Sequence, residues 1–374
     1  MSIQFVGQMD RPSPSLNSNR SRNGATLRAC VITSPSREGH AHHKLSSYSY
    51  EEVSMEQYIG IDVAKEELSV FDGTNERIFQ NRQGLSTFRA YLRKAFPDLC
   101  KVVLIFEATG PYSQYLIELC ASHGIKAWVV NPKKSSHFAK ALGNRSKTDP
   151  IDAKTLYTFS KVVDPKDILV PQIDHVREEL SLYLSSYDFV IKTQTAIANR
   201  IEALSHHPHT PKELLVLLRH DLARAEKTEA RLLARMEELI KADGDLSRDY
   251  ENLLTIPGIG KICAITLLAF FRTYGETKRS EITALVGLDP TRKESGTSVN
   301  GRRKISKGGN KRVRKVLYFP TLSAIQHNSN IRTFYERLVA NHKPKKLAVI
   351  ASMRKLVLIA HAVYKNKTPY QEAA

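Results

Sequence analysis

From residue 55 onward, short apolar runs alternate with amphipathic stretches. Tyr58-Ile59-Gly60-Ile61-Asp62-Val63 and Leu68-Ser69-Val70-Phe71-Asp72 read as strands, and Asp72-Gly73 is a turn signal after the second. Arg77-Ile78-Phe79-Gln80 reads as a third strand. Residues 85–95 have helical spacing. Residues 101–106 (KVVLIF) form a continuous apolar run, the pattern of a strand buried on both faces. A helix is predicted over 112–123 with Gly124 as its stop, a strand over 127–130, and a helix over 149–161 that Thr148 or Asp149 can cap. This order predicts an α/β domain over residues 55–165.

The pattern then changes. Residues 166–250 are rich in Leu, Glu, Arg and Ala, with a single break at 206–211. Two long helices joined at that break predict a coiled-coil-like hairpin, a unit suited to dimerisation or spacing. His206, His207 and His209 lie in the break beside Pro208 and Pro211, which reads as a polar loop rather than a metal site. Residues 251–374 read as a mainly α C-terminal domain. There Ile256-Pro257-Gly258-Ile259-Gly260-Lys261 precedes an apolar helix over 262–271, and Leu347, Ile350, Met353, Val357 and Ala360 mark the apolar stripe of a last helix with a basic face. Residues 1–54 hold eleven serines and no apolar period. They read as a disordered extension, or as residues ahead of a true start at Met55.

Charge sharpens the picture. Lys and Arg number 56 against 38 Asp and Glu, a formal net charge of +18. Such an excess calls for a polyanionic partner, nucleic acid first. The excess is clustered: residues 290–315 carry ten Lys/Arg and a single acid, Glu294. No apolar run reaches the length of a membrane span, because the best candidate, 347–364, is interrupted by Arg354 and Lys355. No signal peptide pattern opens the chain. The four cysteines are scattered without a CxxC, which argues against a disulfide framework or a zinc site and for a reducing compartment.

Four carboxylates stand out. Asp62 lies inside a strand, Glu107 directly follows another, and Asp149 and Asp152 share one face of a helix. Converging at one sheet edge, they would repel unless cations sat among them, and hard oxygen donors suit Mg²⁺ or Mn²⁺. Two such ions can clamp the attacking and leaving oxygens of a phosphodiester. Each also has a plain alternative: Asp62 as a strand-end turn residue, Glu107 and Asp149 as helix caps, Asp152 as a dipole partner. Gly258 and Gly260, with Lys261, resemble a helix-hairpin-helix turn that offers backbone N–H groups to a phosphate, or else a plain packing corner. Ser295 stands in a Ser-Gly loop beside Arg302, Arg303, Lys304, Lys307, Lys311, Arg312 and Arg314. Those cations can stabilise an alkoxide and a charged transition state, so Ser295 is either a nucleophile or part of a phosphate-binding loop. Lys147 is a further phosphate contact candidate.

Taken together, these motifs resemble the DEDD transposases of bacterial insertion sequences, a family that includes the Piv-type site-specific invertases and the bridge-RNA-guided recombinases. The resemblance rests on YIGIDVAK at 58–65, FEATGPY at 106–112, VNPK at 130–133 with KTDPIDAK at 147–154, IPGIG at 256–260, and the segment 287–314. It spans nearly everything from Met55 to about residue 364. It implies an RNase H-like (RuvC-like) domain, a coiled-coil middle and a C-terminal transposase domain. It also implies that Asp62, Glu107, Asp149 and Asp152 are the DEDD carboxylates holding Mg²⁺ and that Ser295 is the nucleophile of a covalent serine–DNA intermediate. Implied partners are DNA at element ends and target, a structured guide RNA, and further copies of the chain in a dimer or tetramer. A junction-resolving nuclease using activated water, a site-specific invertase, and a non-catalytic nucleic-acid scaffold are the rival readings.

Overall fold

The computed structural model describes residues 56–142, 149–164, 168–291, 294–295, 299–300 and 304–372. The expected N-terminal extension, and with it the question of a start at Met55, lies outside the described residues, as do Lys147, Arg302 and Arg303.

The α/β part is built on a five-stranded mixed sheet. In chain order it comprises β1 (Gln57–Val63), β2 (Glu67–Phe71), β3 (Glu76–Gln80), α1 (Leu85–Ala95), β4 (Val102–Glu107), α2 (Gln114–His123), β5 (Lys126–Val130), α3 (Pro132–Ala141) and α4 (Asp149–Val162). The sheet order is β3-β2-β1-β4-β5. The first three strands form an antiparallel meander, and β4 and β5 run parallel to β1. Period-two patterning sets the faces. Ile59, Ile61 and Val63 of β1 and Val102, Leu104 and Phe106 of β4 bury against Phe88 and Leu92 of α1 and Leu116 of α2. The opposite residues of β4, Val103 and Ile105, pack with Trp128 and Val130 of β5 and with Leu156 and Phe159 of α4. Burial of β4 on both faces explains its unbroken apolar run.

The expected helix over 112–123 starts as a 3₁₀ turn at Gly110–Ser113 and becomes α2 only at Gln114. It stops at Gly124, which adopts a left-handed φ of 65°. Helix α3 has no counterpart in the sequence reading. It is short and lysine-rich, and its start depends on Asn131, whose side chain accepts from Lys133 N–H at 2.9 Å, and on Pro132 in the first turn.

The helical part begins with α5 (His175–Ser205) and α6 (Lys212–Lys241), the expected hairpin. Its base is set in a core, with Leu180 and Leu184 buried against Met236 and Ile240. Further along, the two helices are joined by polar bonds, as Tyr187 Oη and Gln194 Nε2 donate to the Glu229 carboxylate at 2.7 and 2.9 Å. There follow α7 (Gly244–Leu254), α8 (Lys261–Tyr274) and α9 (Arg279–Val286). Two short antiparallel ribbons come next: β6 (Pro290–Thr291) with β9 (Lys304–Ile305), and, nested between them, β7 (Glu294–Ser295) with β8 (Val299–Asn300). The chain closes with α10 (Lys311–His327), α11 (Ser329–Ala340) and α12 (Lys345–Asn366). Helix α8 is apolar all round because it is central, with nine consecutive residues, Cys263 to Phe271, buried. Contrary to the reading from the sequence, helix α12 is long and apolar enough to cross a membrane by length and composition, even with Arg354 and Lys355 in it. Here Met353, Leu356, Val357 and Ala360 pack into the same core as α8. Its stripe starts at Ala348 rather than at Leu347, which is 47% exposed. Helix α12 enters behind Pro344, and the buried face begins one residue later than the spacing alone indicates.

Candidate functional site

The parallel pairing of β1 with β4 places Ile61 opposite Phe106. Asp62 and Glu107 lie one residue further on, at the carboxyl ends of neighbouring strands. Because Ile61 and Phe106 face the α1/α2 layer, alternation turns Asp62 and Glu107 to the other face, the one covered by α4. Both are half-buried.

Helix α4 lies directly on that face. A Cβ added to Gly60 would come within 2.1 Å of the Ala153 carbonyl oxygen and 2.8 Å of the Tyr157 nitrogen. Only a glycine lets helix and strand approach so closely. The Lys161 ammonium sits over the Tyr58 ring at 5.3 Å. Since Lys161 lies over Tyr58 and Ala153 over Gly60, α4 runs antiparallel to β1. Its first turn, carrying Asp149 and Asp152, therefore extends toward the end of β1 where Asp62 stands. Asp152 is half-buried there, and Asp149 is the first residue of the helix. The fold thus delivers Asp62, Glu107 and the first turn of α4 to one edge of the sheet. Among the described residues, no three His, Cys, Asp or Glu side chains are gathered as a ready-made metal site. The donor set is nevertheless all hard carboxylate oxygen, the chemistry that suits Mg²⁺ or Mn²⁺.

Ser295 lies on β7, opposite Val299, further along the hairpin than the β6–β9 pair. The base of that hairpin is firmly tied. Ser306 N–H donates to the Asp289 carbonyl at 2.9 Å, and its Oγ donates to the Asp289 carboxylate. The Arg314 guanidinium donates to the carbonyls of Val286 at 2.7 Å, Gly309 at 2.8 Å and Lys307 at 3.2 Å. It satisfies a carbonyl at the C-terminal end of α9 and anchors the loop leading to α10, so its donors serve the fold. Lys307 takes a left-handed φ of 57° in that loop. Lys304, Lys307 and Lys311 are exposed. Lys307, Lys311, Arg314 and Lys315 rim a surface pocket of about 320 Å³ floored by Leu288, Ile305 and Met353.

The remaining charged candidates, Arg312 and Lys261, have internal partners. Arg312 Nε and Lys315 Nζ each donate to Asp188 of α5 at 2.8 Å. Burial pushes the Asp188 carboxyl up, but the hydrogen bonds and charges of Lys315 and Arg312 outweigh it and hold it below the ordinary carboxylate value. Lys261 pairs with Glu237 of α6 at 2.8 Å, and its hydrogen bond, partly opposed by burial, holds Glu237 low. Gly258 and Gly260 do different things. Gly258 has a φ of 99°, and a Cβ there would come within 2.6 Å of the Pro320 carbonyl and 2.7 Å of the Ala324 nitrogen in α10. Gly260 caps α8 with open space around it. It lies on a groove of about 570 Å³ between α5, α8 and α10, lined by Tyr187, Ile262 and Phe319.

With this geometry in view, comparisons with known proteins agree across the chain. Residues 59–206 match the transposase family of IS110-type DEDD enzymes, and residues 250–336 match the Transposase IS116/IS110/IS902 family. The pilin gene-inverting protein of Moraxella bovis is 27% identical over 325 residues, covering 84% of this chain and 98% of its own. Its counterpart in Moraxella lacunata matches to the same extent. The transposase for insertion sequence element IS1111A of Coxiella burnetii is 22% identical over 321 residues, 77% of this chain and 84% of its own. The first match covers the strands and helix that carry the carboxylates, and the second covers the turn at Gly258 and the serine hairpin. The chain belongs to the DEDD transposases of the IS110 family and is a DNA-recombining enzyme.

Proposed function

We propose that the chain catalyses strand exchange at the ends of an insertion sequence through a covalent serine–DNA intermediate. The observation that carries this reading is the placement of Asp62 and Glu107 side by side, at the end of the sheet toward which the first turn of α4 extends. The α/β part, residues 55–165, is taken as an RNase H-like domain, supported by its antiparallel three-strand meander followed by two parallel strands. The helical region over 166–250 and the transposase domain over 251–374 complete the division.

In this reading Asp62, Glu107, Asp149 and Asp152 hold Mg²⁺ or Mn²⁺, which when bound neutralises charge on the scissile phosphate. The chain's own residues do the rest. Ser295 Oγ loses its proton and attacks phosphorus. A phosphoserine bond forms, the bond to one strand oxygen breaks, and that oxygen leaves as a hydroxyl. A hydroxyl of the exchanged strand later attacks the phosphoserine and restores the serine. Exposed Lys304, Lys307 and Lys311, with Arg302 and Arg303, supply the positive field on which the charged transition state rests. DNA is the substrate, a structured RNA is the proposed guide, and a second copy of the chain is proposed to bring its serine domain to the carboxylates of the first. The reaction belongs in the cytoplasm, at the nucleoid. Inversion of a DNA segment is the second reading, favoured by the gene-inverting relatives matched over 98% of their length.

The test is covalent trapping. The full chain is incubated with element-end DNA, co-purifying RNA and Mg²⁺, then denatured. Protein that migrates with DNA and is lost in Ser295→Ala is the expected result. Hydrolysed ends without any adduct would replace this reading with a metal-dependent nuclease. Omitting the RNA tests guidance, because unguided cutting at the same sites removes that part.

A further inference from the structure

Asp62 and Glu107 stand one residue past the point where the β1–β4 ladder pairs Ile61 with Phe106. Beyond it the two strands run into separate turns. We propose that Asn81 is the positioning residue that sets the spacing of these two carboxylates, a role that rests on their assignment to the catalytic site above.

Asn81 directly follows β3 and is 6% exposed. Its side-chain Nδ2 donates to the Ala64 carbonyl at 2.9 Å and to the Tyr112 carbonyl at 3.1 Å. Ala64 is two residues beyond Asp62, in the turn that leaves β1. Tyr112 is five residues beyond Glu107, in the 3₁₀ turn that follows β4. One carboxamide therefore ties together the two segments into which the carboxylate-bearing strands run. The clamp is itself held. Asn81 Oδ1 accepts from Arg82 N–H at 2.9 Å, and Arg82 adopts a left-handed φ of 60°. Asn81 N–H donates to the Glu66 carbonyl at 2.7 Å, and its carbonyl accepts from Gln83 N–H at 2.7 Å.

The chemistry selects this side chain. Both partners are carbonyl oxygens, so a single atom with two N–H groups is required. Aspartate has no donor and would set its charge against two acceptors. Serine has one donor. Glutamine carries the amide one methylene further out. Asn81 is buried while Tyr112 is partly exposed, so water can reach a freed carbonyl but cannot tie the two turns together; each substitution removes at least one of the two ties. Loss of a group hydrogen-bonded directly to a metal's ligands typically costs about tenfold to a hundredfold in metal affinity or activity. Asn81 acts one step further out, through the turns that follow the two carboxylates, so its loss is expected at the lower end of that range.

The experiment compares Asn81→Ala, Asn81→Ser, Asp62→Asn and Glu107→Gln in the full chain with its RNA. Asn75→Ala serves as control, since exposed Asn75 bonds only within the β2–β3 turn, to Asp72. Four quantities are read: the thermal midpoint, kcat and KM for element-end DNA, and binding of Mn²⁺ alone to DNA-free protein by electron paramagnetic resonance. Asn81→Ala should lose about tenfold or more in kcat with KM unchanged, and should bind Mn²⁺ more weakly. Asn81→Ser should fall between it and the parent. Asn75→Ala should keep both kcat and Mn²⁺ binding. Parent-like kcat and Mn²⁺ affinity in Asn81→Ala, with any loss confined to the midpoint, overturns the positioning role while inactive Asp62→Asn leaves the carboxylate site standing. Should Asn81→Ala not fold, a parent-like kcat in folded Asn81→Ser overturns it equally. Full activity in Asp62→Asn and Glu107→Gln removes the carboxylate site itself, and the role of Asn81 with it.

Discussion

Gly258 and Gly260 show how differently one residue type is used within three positions. Gly258 is left-handed and lies against the backbone of α10, while Gly260 caps α8 in open space. Gly258→Ala should therefore destabilise the full chain by about 3 kcal/mol through strain and overlap with Pro320 and Ala324. Gly260→Ala meets no neighbour but puts a poorer residue at the N-cap of α8, so it should cost no more than about 1 kcal/mol. Urea unfolding of both variants checks this, and a neutral Gly258→Ala would show that α10 yields at Pro320. Asp188 offers a second residue-scale test. Its pKa is lowered in the folded state by Arg312 and Lys315, which outweigh burial. The stability it contributes is present above the unfolded carboxylate value of about 4 and is lost as pH falls below it. The difference in urea midpoint between the parent and Asp188→Asn should accordingly shrink from pH 6 to pH 3. A constant difference would mean that the ion pair does not titrate with folding.

At the scale of elements, α4 is the part on which the site turns. Its seat is Gly60, with the Ala153 carbonyl 2.1 Å from where a Cβ would stand. Gly60→Ala should cost about 3 kcal/mol and lift α4 off the sheet, carrying Asp152 away from Asp62. Faster hydrogen exchange across 149–162, with slow exchange retained in β4, is the expected signature; unchanged protection of α4 would contradict the seating. The sequence pattern was sufficient for β1, β2, β4, β5, α4 and the α5–α6 hairpin, because each carries a period or an apolar run dictated by its own burial. It missed α3, whose stability comes from the Asn131 cap and the packing of Phe138 on Phe159 rather than from an apolar stripe. It also gave no sign of Asn81, since a polar residue between a strand and a turn reads as an ordinary loop position until its two carbonyl partners are known.

For the whole molecule, the net charge of +18 makes binding to DNA or RNA depend steeply on salt. Of the basic residues around the serine hairpin, Lys304, Lys307 and Lys311 are exposed, whereas Arg312, Arg314 and Lys315 have internal partners. Neutralising any one of the three exposed lysines should lower the slope of log affinity against log salt by about one. Arg314→Ala should instead lower stability, because it leaves three carbonyls without their donor. Fluorescence anisotropy over a salt series separates the two, and equal salt slopes for all four variants would place the phosphate contacts elsewhere. The chain alone determined the alternation of strands and helices and the basic character of residues 290–315, since patterning and charge are properties of residue order. Only the tertiary structure decided that Asp62 and Glu107 stand in register on one face, that Gly60 and Gly258 are points of helix contact, and which cations remain free. Those facts depend on neighbours far apart in the chain, and burial and hydrogen bonding become defined only when such neighbours meet.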